Sequence, residues 1–230
     1  MKKIFFIFIL STSYIFSQNE LGSWNTTNFN FKINNKWQVF AESQLRSLKF
    51  YDNFHYYEFK GGATYKIKTN FYVNSGIGNY NTYGDGGNFA SPIKQREIRT
   101  WLQFVFKNPF DFMTIEHRYR AEQRYTNIGY KNRFRYRLSS KIPLFKNKNY
   151  ENDYFLMAWN ELFFTNNEPF FERNRVFIGG GFDINKSLAI QTGYIYQFDY
   201  KINDETGRDF FNIIVSYSFD FNKDNEKITD

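Results

Sequence analysis

The sequence predicts an all-β protein: one antiparallel transmembrane β-barrel of about 10–12 strands. Three observations predict it. Apolar and polar residues alternate along most of the chain, the period at which successive side chains take opposite faces of a strand. Aromatic residues are 23% of the chain, with 30 Phe and 18 Tyr, yet the mean hydropathy is −0.62. A polar average with a heavy aromatic content suits strands that are apolar on one side only. After the first residues no apolar stretch reaches the roughly 20 residues of a membrane-spanning helix.

The N-terminus sets the compartment. Met1-Lys2-Lys3, the apolar run 4–10 and the small residues before Gln18 have the form of a secretory signal peptide, taken here as residues 1–17. The run is too short to serve as a membrane anchor. Residues 18–221 form the barrel and residues 222–230 a short polar tail. There are no cysteines, which excludes disulfides, Cys-ligated metals and a lipid-modified N-terminal Cys. The net charge of +7 falls by two on removal of Lys2 and Lys3. What remains alternates along strands and forms no patch on a helix, so no nucleic-acid partner is expected.

Taken in order, the strands read as follows. Residues 23–33 place Phe29, Phe31 and Ile33 on one face, and Asn34-Asn35 is a hairpin turn. Residues 36–46 set Trp37, Val39, Ala41 and Leu45 against Gln38, Glu42, Gln44 and Arg46. Residues 47–54 read as a loop. Residues 55–66 oppose Tyr57, Phe59, Ala63 and Tyr65 to Glu58, Lys60 and Thr64, and 71–83 is a glycine-bearing strand. Residues 84–94 are Gly- and Pro-rich. A flexible loop is expected there in preference to a phosphate cradle, because no helix follows to supply a dipole. Residues 95–107 put Ile98, Leu102, Phe104 and Phe106 opposite Glu97, Arg99 and Gln103.

The chain is organised around residues 113–138. In the first run Thr114, Glu116, Arg118, Arg120, Glu122 and Arg124 share a face, opposite Met113, Ile115, His117, Tyr119 and Ala121. After a break at 126–129, Lys131, Arg133, Arg135 and Arg137 alternate with Tyr130, Phe134, Tyr136 and Leu138. Residues 153–165 form another strand, whose facing is ambiguous because Trp159, Asn160 and Glu161 are adjacent. Residues 171–183 carry Arg175 and Gly179 to Gly181. Residues 188–200 and 209–221 alternate cleanly, the last ending on Phe219 and Phe221. These segments number about eleven; single-chain bacterial barrels use even counts, so ten or twelve are expected.

Alternation alone also fits a soluble sandwich, in which the aromatic face would be the core. The barrel is favoured by strands longer than the usual five or six residues, by the export signal, and by a final strand apolar at every second position, as barrel-assembly machinery would read. Tyr57, Tyr65, Phe71, Phe110, Tyr130, Tyr200 and Phe210 near strand ends are expected to form interfacial girdles.

Several segments carry a family resemblance: Trp24 before the Asn34-Asn35 hairpin, Gln44 to Arg46, Glu116 to Arg124, Arg133 to Arg137, Ile142-Pro143-Leu144, Asn160 to Phe164, Asn174-Arg175 and Gly193-Tyr194. In that order they resemble an uncharacterised family of outer-membrane barrels, domain of unknown function 2490. The resemblance covers nearly the whole mature chain. It implies the outer membrane of a Gram-negative bacterium and brings no catalytic residues or cofactor.

The charged face is the concentrated chemistry. The candidate lumen cluster is Glu58, Glu116, Arg118, Arg120, Glu122, Arg124, Arg133, Arg135, Arg137, Glu161 and Arg175, with Glu97 as a further partner. One reading is a narrow, porin-like channel that selects small polar or anionic solutes with rings of charge. The other is a structural Arg–Glu network plugging a barrel that serves as scaffold or receptor, since eight strands leave an interior just filled by side chains. In a dry network Arg135→Ala should destabilise the fold. A lipid hydrolase is the third class, and enzyme activity is not expected. His117 falls on the outer face, but no serine near either of the two histidines lies in a nucleophile motif. No metal or cofactor is expected, since His55 and His117 lack ligand-spaced partners. The expected partners are outer-membrane lipid, the assembly machinery and a small solute.

Overall fold

The computed structural model describes residues 20–144 and 153–221. The expected signal peptide (1–17), the tail (222–230) and the polar run at 146–152 lie outside the described residues. Eleven strands are present among the described residues: β1 (Gly22–Lys32), β2 (Trp37–Lys49), β3 (Asp52–Lys68), β4 (Phe71–Tyr83), β5 (Ile93–Pro109), β6 (Thr114–Thr126), β7 (Gly129–Pro143), β8 (Asp153–Thr165), β9 (Phe171–Asn185), β10 (Leu188–Asp199) and β11 (Thr206–Asp220). Each pairs with its neighbours in chain order, and β1 pairs with β11 to close the barrel. No helix is found among them.

The barrel is all-β and mostly antiparallel with a strand number inside the expected 10–12, but the count is eleven and not even, and one pair is parallel. In an up-and-down meander an odd number of strands makes the first and last run the same way. The ring therefore closes through a parallel pair, from Gly22 opposite Phe210 to Lys32 opposite Asp220. Side chains reinforce this seam on both faces. Outside, Phe29 stacks on Tyr217 with ring centroids 5.3 Å apart and Phe31 on Phe219 at 5.2 Å. Inside, Asn212 Nδ2 donates to the Trp24 carbonyl at 2.8 Å, and Lys32 meets Asp220 at 2.9 Å where the seam ends.

Turn chemistry follows the sequence. Asn34 Oδ1 accepts from the Lys36 and Trp37 amides at 2.8 and 2.9 Å, and Asn185 repeats this with Ser187 and Leu188. Such an Asx turn satisfies amides that have just left the ladder. Asn70, at φ 64°, takes the left-handed position between β3 and β4.

Two spans differ from expectation. Residues 47–54 are no loop: β2 continues to Lys49 and β3 starts at Asp52. The register shifts beyond Arg46, passing over His55, so alternation breaks there while pairing persists. The second arginine-bearing run, read as far as Leu138, continues as β7 to Pro143. The Gly-rich segment between β4 and β5 is tied down at several points. Gly87 N donates to Asn53 Oδ1 at 3.0 Å and Phe54 N to Asn88 Oδ1 at 3.1 Å, while Phe89 packs on Phe54, Tyr57 and Tyr83.

The wall is inside-out relative to a globular sheet. Among the described residues thirty-six large apolar or aromatic side chains are exposed and nine are buried, whereas eighteen polar or charged residues are buried. The apolar set of each strand, such as Phe59, Ile77, Leu102, Phe134 and Ile178, faces outward. The few buried aromatics fill part of the interior, where Trp24, Phe177, Ile195 and Phe210 form a cluster with Met157 and Trp159 against it, so Phe210 faces inward and is no part of the expected outer girdle.

Candidate functional site

The strand period carries the polar or charged face of the strands into the lumen. Glu58 on β3, the five charged residues on β6, the three arginines on β7, Glu161 on β8 and Arg175 on β9 all lie on the inner face. The ambiguity in β8 is resolved by the pleat. Trp159 and Glu161 line the lumen, while Asn160 points the other way and donates to Asn174 Oδ1 at 3.0 Å.

Most of these residues meet around three carboxylates. Glu122, 2% exposed, receives Arg133 Nε and Nη2 at 2.8 and 2.6 Å, Arg135 Nη1 at 2.6 Å and Arg120 Nη1 at 3.5 Å. Glu161, also 2% exposed, receives Arg135 Nη2 at 2.9 Å on both oxygens, and Arg118. Glu97 is clasped by Arg99, through Nε at 2.6 Å and Nη2 at 2.8 Å, and by Arg124. Arg135 therefore links two carboxylates that sit on different strands, β6 and β8. Charge-assisted, forked contacts of this kind are the stronger hydrogen bonds.

Other members stand apart. Glu58 pairs with Arg46 at 3.3 Å and Lys60 at 2.6 Å and accepts from Tyr56. Glu116 sits at the rim, 3.3 Å from Arg137 and 3.8 Å from Lys107, with about a quarter of its side chain exposed. Arg175 has no carboxylate within 4.0 Å among the described residues; its Nε donates to Gln197 Oε1 at 2.8 Å.

Several participants lie beyond the candidate set. Arg46, Lys60, Glu42 and Arg99 were readable, because they share the parity of their strands' polar faces. Glu172 was not. At the start of β9 the register passes from Phe171 to Arg173, skipping Glu172. That bulge turns Glu172 inward to meet Arg124 and Arg133, both at 3.2 Å. Aromatic rings form the rest of the lining. Arg46 stacks on Trp24 at 3.4 Å from the ring centre, Arg99 on Tyr80 at 3.7 Å and Arg135 on Phe163 at 4.6 Å.

The side chains do not fill the interior. A cavity of about 1090 Å³ remains, lined by fifteen lysines and arginines and seven Asp or Glu residues. It reaches the end of the barrel that carries the connections at 166–170 and 200–205, since Asn167, Pro169, Lys201 and Ile202 border it. Its lining carries an excess of positive charge.

One energetic consequence concerns Arg135. Its removal leaves Glu122 with Arg133 and Arg120, and Glu161 with Arg118, so neither carboxylate is orphaned. Arg135→Ala should then cost about 2–3 kcal/mol, the scale of hydrogen bonds to charged groups. A urea titration of the detergent-refolded protein measures it. An unchanged midpoint would show the link between β6 and β8 to be dispensable.

His117 lies on the outer wall, with Nδ1 2.9 Å from the Tyr136 hydroxyl. No group of three His, Cys, Asp or Glu residues suited to a metal occurs among the described residues. Residues 21–208 match the family model DUF2490, described as a protein of unknown function. No curated protein and no solved structure matches the chain.

Proposed function

The chain belongs to this family of unknown function, and from that premise we propose that it is an outer-membrane β-barrel whose arginine-rich lumen admits small anionic or polar solutes. The observation that carries the reading is the reversed polarity of the wall. Exposed apolar side chains cover the outside, while charge surrounds an internal cavity. A contiguous apolar exterior of this extent needs a lipid or protein cover, and a closed ring has no open edges to satisfy in a bilayer. The signal peptide at 1–17 supplies export. Strands of 11–17 residues are long enough to cross when tilted.

The end where β11 finishes is taken as periplasmic. The connections at 33–36, 69–70, 110–113, 144–152 and 186–187 lie at that end, and those at 84–92, 166–170 and 200–205, with the two-residue turns at 50–51 and 127–128, lie at the other, so connection length alone does not set the orientation. In this arrangement β11, with outward Tyr217 and Phe219, presents its terminal aromatics to the assembly machinery on the periplasmic side. The cavity opens to the exterior.

A second reading is favoured by the Glu122 and Glu161 clusters: a structural or receptor barrel whose fixed arginines block passage. Planar-bilayer recording of the refolded protein separates the two. The channel predicts steady, anion-selective current; silence from protein that inserts into liposomes supports the second reading. Failure to insert would overturn the membrane assignment. No catalysis is proposed, because His117 engages a tyrosine and no serine; a phospholipase assay on the same sample is expected to give no turnover.

A further inference from the structure

Arg175 is the one member of the candidate cluster whose charge the described residues leave without a partner. Glu161 is directly opposite it across the β8–β9 ladder, the position from which a salt bridge would normally form. Both oxygens of Glu161 are instead taken by Arg135, at 2.9 Å each, and one also by Arg118. Arg175 is nevertheless 94% buried, with 6% relative exposure. An uncompensated buried guanidinium is costly, and it cannot shed its proton.

The surroundings hold that guanidinium in a fixed pose. Nε donates to Gln197 Oε1 at 2.8 Å, and the Gln197 amide is anchored to Asp199 Oδ2 at 2.6 Å. The guanidinium carbon lies 4.8 Å from the Trp24 ring centre and 4.8 Å from that of Phe163. The two rings flank the guanidinium. Its two Nη groups make no hydrogen bond to the described residues, and Arg175 lines the cavity. Arg46 shares the Trp24 ring and pairs with Glu58 at 3.3 Å, and Arg173, which precedes Arg175 on the same inward face of β9, pairs with Asp199, so both neighbouring arginines have carboxylates while Arg175 does not.

We infer that Arg175 anchors a binding site for a small oxyanion, a phosphate or carboxylate group, received edge-on by its Nη1 and Nη2. A planar fork with its orientation already set is suited to bidentate recognition of such groups. The anion supplies the charge that Glu161 cannot. This site rests on the proposal that lumen solutes enter from the loop-bearing end, and it identifies where they stop.

The test is isothermal titration of the refolded mature protein in detergent at constant ionic strength, with inorganic phosphate in one arm and succinate in the other. Binding in the phosphate arm alone assigns phosphate-bearing solutes, and in the succinate arm alone carboxylates; binding in both assigns the shared oxyanion chemistry. Arg175→Gln should weaken binding about tenfold or more, the loss of a charge-assisted pair of hydrogen bonds. Lys94→Gln, which removes the same charge elsewhere on the cavity wall, should change it less than about twofold, because exposed charges are screened. Arg175→Gln should also leave the urea midpoint unchanged or raised, since it removes an unpaired charge. Equal losses in the two variants would reduce the effect to general field and overturn the site. A fall in stability like that of Arg135→Ala would make Arg175 structural and do the same, as would absence of binding in both arms. Binding with electrically silent bilayers overturns transport alone, whereas anion current without binding overturns this site alone.

Discussion

Glu122→Gln is expected to be the most damaging single substitution in the lumen, lowering stability by about 3–5 kcal/mol. Three arginines converge on this one carboxylate, and it is 2% exposed. Glutamine keeps the shape and removes the charge. It also replaces one acceptor oxygen by an amide donor, which then faces guanidinium donors. Arg133, 2% exposed, retains only its contact to Glu172 at 3.2 Å, and Arg120 retains its neutral partner Gln103 at 2.8 Å. The comparison is Glu116→Gln at the rim. Its partners lie at 3.3 and 3.8 Å with substantial exposure, so its loss should stay below about 1 kcal/mol. Urea titration of both refolded variants gives the difference. Indistinguishable midpoints would mean that water enters the Glu122 cluster freely.

Much of this was legible in the chain because a two-residue period is a local signal. Which way Phe59, Arg135 or Ile190 faces depends only on its own strand's pleat, and the inner and outer sets follow from parity. Closure was harder. The ten-or-twelve expectation rested on a habit of bacterial barrels; nothing local in β1 or β11 announces a parallel seam between residues 188 positions apart. Bulges were the second blind spot. Glu172 and His55 sit where the register slips, so parity assigns them wrongly or not at all. Competition was the third. Parity places Arg175 and Glu161 on one face, and adjacency would pair them. Only the three-dimensional crowd of Arg135 and Arg118 around Glu161 shows that Arg175 loses.

Residues 179–181 posed a different problem: three consecutive glycines are unusual in a strand, where glycine weakens packing, and the sequence offers no reason for them. The structure supplies one. Gly179 faces Gly193 across the β9–β10 ladder, and the ring of Phe177, 1% exposed, lies over both. A Cβ on Gly179 would stand 2.2 Å from the Thr192 carbonyl oxygen, 2.7 Å from Gly193 Cα and 2.6 Å from the Phe177 ring. Gly179→Ala is therefore expected to cost about 3 kcal/mol, the upper part of the range for overpacked sites, and to reduce the yield of the heat-resistant, gel-shifted form. Gly84→Ala is the contrast, since its nearest neighbour would be 3.5 Å away and folding should be unaffected. The discriminating variant adds Phe177→Ala to Gly179→Ala. A ring can give way, but the Thr192 carbonyl belongs to the backbone of the β9–β10 ladder. Folding should stay impaired in the double variant, and full recovery there would show that the glycine serves the ring and not the approach of the two strands.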